Sequence, residues 1–266
     1  MTRLPVSAAA LRRLLKEIET SGRGEHVLAF GGTSELAPVL RQKFLRGRAQ
    51  PGAVRLGDPE GADAYVHVLA GETADEDVSV LRRAQRARVP VIAVAPRPVV
   101  TIPYVLATDV VWIGAGENLP LERIAAAIAA RLGERGAPLA ARVPLLREHV
   151  CDQVVASFAR RNGVLAAAAW IPRADLPVLA LNQFRLVLRL AQAHDAADDL
   201  RSRLPELGVT LAAAFGLRAL ARQTLDVQPT GGWAVRVAVA YAGTRALGEA
   251  ARRRFELEPA PTRPPA

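Results

Sequence analysis

The sequence predicts an α/β domain followed by an all-α domain. From His26 to Gly114 short apolar runs alternate with segments of helical period, the pattern of a mainly parallel sheet. Beyond Pro138 the strand-like runs vanish, and long alanine- and leucine-rich segments broken by proline or glycine replace them. At 266 residues, half of them apolar, the chain is long enough to bury two cores.

In chain order, Ser7 caps a helix in which Leu11, Leu14, Leu15 and Ile18 recur at helical spacing, and Gly22 and Gly24 stop it. Residues 1–23 are thus expected to form an amphipathic helix. Arg12, Arg13, Lys16 and Glu17 interrupt its apolar residues, so it does not read as a secretory leader. The strands HVLAF, AVRL, AYVHVLA, VPVIAVA and DVVWIG follow, separated by the helices LAPVLRQKFL, DVSVLRRAQRA and LPLERIAAAIAARLGE. Together they place the α/β domain at 24–137. A hydrophobic helical domain at 138–258 is read as helices at 144–161, 163–170, 174–194, 205–224 and 232–256, and the Pro-rich tail 259–266 is expected to be disordered.

Composition narrows the function classes. The single cysteine, Cys151, admits no internal disulfide and suits a reducing, cytoplasmic setting. The net charge of +9 is almost wholly arginine, since Lys16 and Lys43 are the only lysines. These arginines are scattered and seldom interleaved with aromatics, so no nucleic-acid surface is expected. Anionic lipid heads are the better match for them, because the C-terminal half is also strongly apolar. The runs VLAAAAWIP, VTLAAAFGL and WAVRVAVAYAG fall short of a span or carry an arginine. A soluble bundle and a membrane-lying or hairpin arrangement both stay open.

In an α/β sheet the turn after the first strand is where a phosphate would sit, which makes FGGTSELAPVL the first candidate site. A phosphate loop of the form G-x-x-x-x-G-K-[ST] fails from Gly31, because Leu36, Ala37 and Pro38 occupy its last three places. In a shortened register Gly32, Thr33 and Ser34 take those places, with threonine where the lysine belongs. Glu35 then occupies the helix end electrostatically, and Ser34 is expected to cap it, leaving a self-capped turn. The histidines His26, His67, His149 and His194 lack zinc-ligand spacing, so neither a metal nor any other cofactor is expected. His149, Cys151 and Asp152 point in different directions on a helix, and Asp195, Asp198 and Asp199 read as a capped turn.

The order of these elements resembles the translation-factor-type small GTPases. Asp58 and Gly61 in GDPEGADAYVHVLAG match that family's D-x-x-G, which implies an aspartate holding magnesium and a glycine amide sensing the last phosphate. The strand that should end in the guanine-reading N-K-x-D instead ends in Ala95, Pro96, Arg97 and Pro98. Only about 25 residues separate the first strand from Asp58, so the switch region is short. The implied P-loop-GTPase-like domain has Gly32, Thr33, Ser34, Asp58 and Gly61 as nucleotide-site positions but lacks the lysine and the base-reading carboxylate. The pair Gly114 and Gly116 lacks the third glycine of a dinucleotide loop.

The helical half resembles the YcjF-like, GTPase-associated domain of unknown function. WIPRADLPVLALNQFRLVLRLAQAHD and GWAVRVAVAYAGTRALGEAARRRFE carry the likeness, through Pro172, Asp175, Gln183, Thr244 and Gly248. The resemblance implies pairing with a true GTPase or association with a membrane, and no catalytic residue. Physically, Thr244 and Gly248 with Ala240 and Ala251 make a small-residue seam for close helix packing, and Asp175 with Gln183 puts a polar pair on an apolar face. The expectation is a non-enzymatic pseudo-GTPase that acts with a GTPase partner or at an anionic membrane surface. The alternatives are a lysine-free nucleotide-binding GTPase and an integral inner-membrane protein.

Overall fold

The computed structural model describes residues 8–97, 101–114, 116, 118–168, 176–195 and 232–257. The elements run α1 (Ala8–Gly22), β1 (Leu28–Gly31), α2 (Leu36–Arg46), β2 (Val54–Leu56), β3 (Ala64–Val68), α3 (Asp75–Arg86), β4 (Val91–Ala95) and β5 (Val110–Trp112). They continue with α4 (Leu121–Leu132), α5 (Ala137–Arg142), α6 (Arg147–Ala168), α7 (Leu176–Ala193) and α8 (Gly232–Leu257). All five sequence-read strands are present. The chain divides into two compact units, Gly24–Gln153 and the described parts of Met1–Arg23 with Val154–Ala266. The sequence put a boundary after 137, but α5 and the start of α6 group with the α/β unit.

In the α/β unit the five strands are all parallel, in the order β2-β1-β3-β4-β5. Side-chain alternation sends Tyr65, Leu69, Val91, Ala93 and Ala95 to one face, where Leu81 and Ala84 of α3 cover them. On the other face Phe30 meets Phe44 of α2, their ring centroids 5.1 Å apart, and α4 packs on β4 and β5 through an apolar stripe that includes Ile124 and Ile128. Residues on both faces are apolar because both are covered, as parallel sheets require. The strand order reverses between β1 and β3, β2 lying on one side of β1 and β3 on the other, and in open α/β sheets ligands bind outside the strand ends at such a switch point. Helix α3 carries Asp75, Glu76 and Asp77 in its first turn and Arg83 and Arg86 in its last, each sign favourable to the helix dipole. The link from β2 back to β3 is residues 57–63 and contains no helix, a short return made possible by the three-residue length of β2.

In the helical unit α1 packs on α7. Arg189 Nη1 donates to Ser21 Oγ at 2.9 Å, Gln192 Nε2 donates to the Ile18 carbonyl at 3.1 Å, and Glu17 pairs with Arg185 and Arg189. Thr244 on α8 is fully buried, donates back to the Ala240 carbonyl at 2.7 Å and accepts from Asn162 Nδ2 of α6 at 3.0 Å. Asn162 in turn accepts from Asn182 of α7 at 3.1 Å, so one polar chain ties three helices. Gly248 lies against Val155 of α6, where an added Cβ would come within 2.7 Å of a Val155 methyl. Gln183 is buried, with its Oε1 lacking a hydrogen-bond partner among the described residues. Its expected companion Asp175, together with Pro172, the predicted helix 205–224, Asp198, Asp199 and the tail 259–266, lies outside the described residues.

One helix boundary is corrected. The sequence placed a turn at Gly163, whereas α6 runs unbroken from Arg147 to Ala168. A glycine inside a helix costs only about 1 kcal/mol, and Gly163 is buried against Val237 and Tyr241 of α8, so packing outweighs propensity. No helix among the described residues is long and apolar enough to cross a membrane. Because Gly248 leaves no room for a side chain, Gly248→Val is expected to cost about 1–3 kcal/mol in urea unfolding of the full chain. An unchanged midpoint would show that this seam is not tightly packed.

Candidate functional site

The turn that leaves β1 at the switch point is held down on the end of β3. Gly32 has φ +120°, and a Cβ there would lie 2.2 Å from the Val68 carbonyl oxygen. Only glycine combines that backbone angle with so close an approach. Ser34 N then donates to the same Val68 carbonyl at 3.2 Å, and Ala70 N donates to Thr33 Oγ1 at 3.3 Å. Thr33 and Ser34 thereby bond the turn to the last residue of β3 and to the segment just after it.

The amides beyond it are committed as well. Leu36 N donates to Ser34 Oγ at 3.2 Å and Ala37 N to the Ser34 carbonyl at 3.1 Å, while Pro38 has no N–H. The first three positions of α2, which in a phosphate site would point free amides at the anion, have none to offer. Ser34 caps these amides from one position ahead of the expected place, because the residue flanking α2 is Glu35, already helical at φ −59° and ψ −11°. The self-capped turn expected from the sequence is therefore present in this geometry.

The candidate residues Gly32, Thr33, Ser34 and Asp58 do come together. They line one cleft of about 420 Å³ with Glu35, Gly57 and Tyr65. Gly61 does not line it. Asp58, in the helix-free link, is bound by Arg83 of α3 at 2.6 Å, with Glu60 at 3.9 Å from the same guanidinium. Arg83 is thus paired with the carboxylate that a magnesium ion would use, and Glu35 adds a second negative charge to the lining. Gly31 makes way for Tyr65, whose hydroxyl would lie 2.3 Å from a Cβ at that position. Burial pushes the Tyr65 phenol above its ordinary value, the Asp58 carboxylate adds to the rise, and Arg83 opposes it. It stays a neutral hydroxyl.

Below the turn lies a group that the sequence did not single out for chemistry. His67 and Asp77 are both buried, and His67 Nε2 sits 2.8 Å from Asp77 Oδ1. The other carboxylate oxygen accepts from Ala74 N at 2.9 Å and, at 3.5 Å, from Thr33 Oγ1. His67 Nδ1 has no hydrogen-bond partner among the described residues, which assigns the neutral tautomer with its proton on Nε2. Burial pushes the imidazole below its ordinary value of 6.5, against the opposing pull of Asp77. The signal was a histidine at an inward position of an otherwise apolar strand. Tyr65 and Arg83 were missed too, because nothing local in AYVHVLA or DVSVLRRAQRA sets their distance from Asp58.

The unfolded chain takes up a proton at His67 below about pH 6.5, while the folded chain resists it, so stability is present above that pH and is lost on acidification. The melting midpoint is expected to fall between about pH 7.5 and about pH 5.5, and to fall less in His67→Gln. An identical pH slope in the variant would contradict the buried neutral histidine. No family model, curated protein or solved structure matches the chain.

Proposed function

We propose that the chain is a non-catalytic interaction protein, a GTPase-type scaffold without a working phosphate site, joined to a helical unit that engages a protein partner. The observation that carries the reading is the commitment of the amides after β1: Ser34 and Ala37 to backbone carbonyls, Leu36 to a side-chain oxygen, and proline at position 38. Phosphoryl transfer depends on positioned donors and cations around the transferring group, and here the amides of Ser34, Leu36 and Ala37 and the Arg83 guanidinium are already used internally. The absent guanine-reading carboxylate and the helix-free link carrying Asp58 and Gly61 support the same reading.

A partner for the helical unit is supported by its surface. Val164 of α6 is 68% exposed, and Val235 and Tyr241 of α8 are 40% and 37% exposed. The proposed partner is a true GTPase, in line with the likeness of the Gln183 and Thr244 segments to a GTPase-associated domain. An anionic membrane surface is the second target, favoured by the arginine excess.

Titration of the full chain with a fluorescent GTP analogue and magnesium is expected to give no saturable signal. The same is expected of Thr33→Lys, because restoring the cation does not free the amides. Micromolar, magnesium-dependent binding by the wild type would overturn the reading. Binding by Thr33→Lys alone would show that the missing lysine, not the closed turn, silences the site.

A further inference from the structure

At the opposite ends of the strands from the closed turn, the starts of β4 and β5 border a second cleft, of about 280 Å³. Its polar lining comes from four separate parts of the chain: Gln85 in the last turn of α3 with Arg88 just beyond it, Tyr104, Asp109 immediately before β5, and Arg131 in the last turn of α4 with Arg135 just beyond it. Arg131 Nε is 3.0 Å from Asp109 Oδ2, and Thr108 Oγ1 donates to the other oxygen of that carboxylate at 3.4 Å. The single acid of the lining is therefore already occupied. The guanidinium groups of Arg88 and Arg135 make no hydrogen bond or ion pair among the described residues.

The backbone holds two of these side chains in place at a cost. Arg88 follows the last residues of α3 with φ +58°, the left-handed position where helices usually place glycine. Tyr104 has φ +64°, and its hydroxyl accepts from Arg82 Nε at 3.2 Å. Of the four non-glycine residues with positive φ among the described residues, two line this cleft. Residues held in sparsely populated backbone regions concentrate at ligand sites, where the surrounding structure over-determines them.

We propose that this cleft binds a phosphate monoester, gripped by Arg88, Arg131 and Arg135. Three guanidinium charges less the Asp109 carboxylate leave two positive charges, which match a phosphomonoester carrying about −1.5 to −2 at neutral pH. A carboxylate would leave one of them unbalanced. Planar guanidinium forks are suited to bidentate contacts with phosphate oxygens. The volume admits a phosphate group with a small substituent, and a dinucleotide would not fit. The inference is independent of the function proposed above, since it concerns the other end of the sheet and a different set of residues.

The test is calorimetric titration of the full chain at low salt with inorganic phosphate, alongside sedimentation with phosphatidic-acid vesicles and with phosphatidylcholine vesicles as the neutral control. Saturable phosphate binding that weakens at least about tenfold in the double variant Arg88→Gly/Arg135→Ala supports a soluble ligand. Binding only to phosphatidic-acid vesicles, lost in the same variant, supports the same chemistry carried on a lipid head. Arg88→Gly alone guards against misfolding, because glycine relieves the left-handed strain: its melting midpoint is expected to equal or exceed that of the wild type while phosphate binding falls. Absence of saturable binding in both arms, or binding unaffected by the double variant, would overturn the proposal.

Discussion

The closure of the β1 turn on the end of β3 is the constraint on which the α/β unit depends. It rests on one glycine: Gly32, at φ +120° and with no space for a Cβ against the Val68 carbonyl. Once the turn is seated there, the bond from Ser34 N to Val68, the bond from Ala70 N to Thr33 and the capping of α2 by Ser34 follow from its position. In a phosphate-binding protein the same turn stands open and the ligand satisfies its amides. Here the fold itself satisfies the amides of Ser34, Leu36 and Ala37, and the energy of those hydrogen bonds goes into structure instead of into a ligand.

The buried His67–Asp77 pair belongs to the same construction. Asp77 sits in the first turn of α3, where its charge is favoured by the helix end, and its two oxygens gather His67, Ala74 N and Thr33. It thus joins β3, α3 and the β1 turn from beneath. The histidine stays neutral because burial costs its cation more than the neighbouring carboxylate returns. Above the turn, Arg83 and Asp58 neutralise each other at the rim. The switch point of this sheet has the location of a ligand site and the bonding pattern of a packed core.

Much of this architecture was legible in the residues. The β-branched runs from Leu28 to Trp112 marked all five strands, since both faces of a parallel sheet are covered and the apolar signal is continuous. The absent lysine at Thr33 and the self-capping role of Ser34 could be read from the motif register alone. Spatial juxtaposition was not legible: Tyr65 over Gly31, Arg83 on Asp58 and His67 on Asp77 depend on strand order and helix placement, which no local pattern encodes. Gly163 misled because a glycine reads as a break in sequence and as a close helix contact in a packed bundle. The role of Arg88 was hidden for the converse reason, since an arginine in glycine's conformational place leaves no mark in the sequence.

Amide hydrogen exchange across residues 32–37 of the full chain tests the closed turn most directly. The account predicts that Ser34, Leu36 and Ala37 exchange slowly in the absence of any ligand, and that magnesium and GTP leave their protection unchanged. Rapid exchange of these amides that becomes slow on adding nucleotide would contradict it, and would return the turn to the class of working phosphate loops.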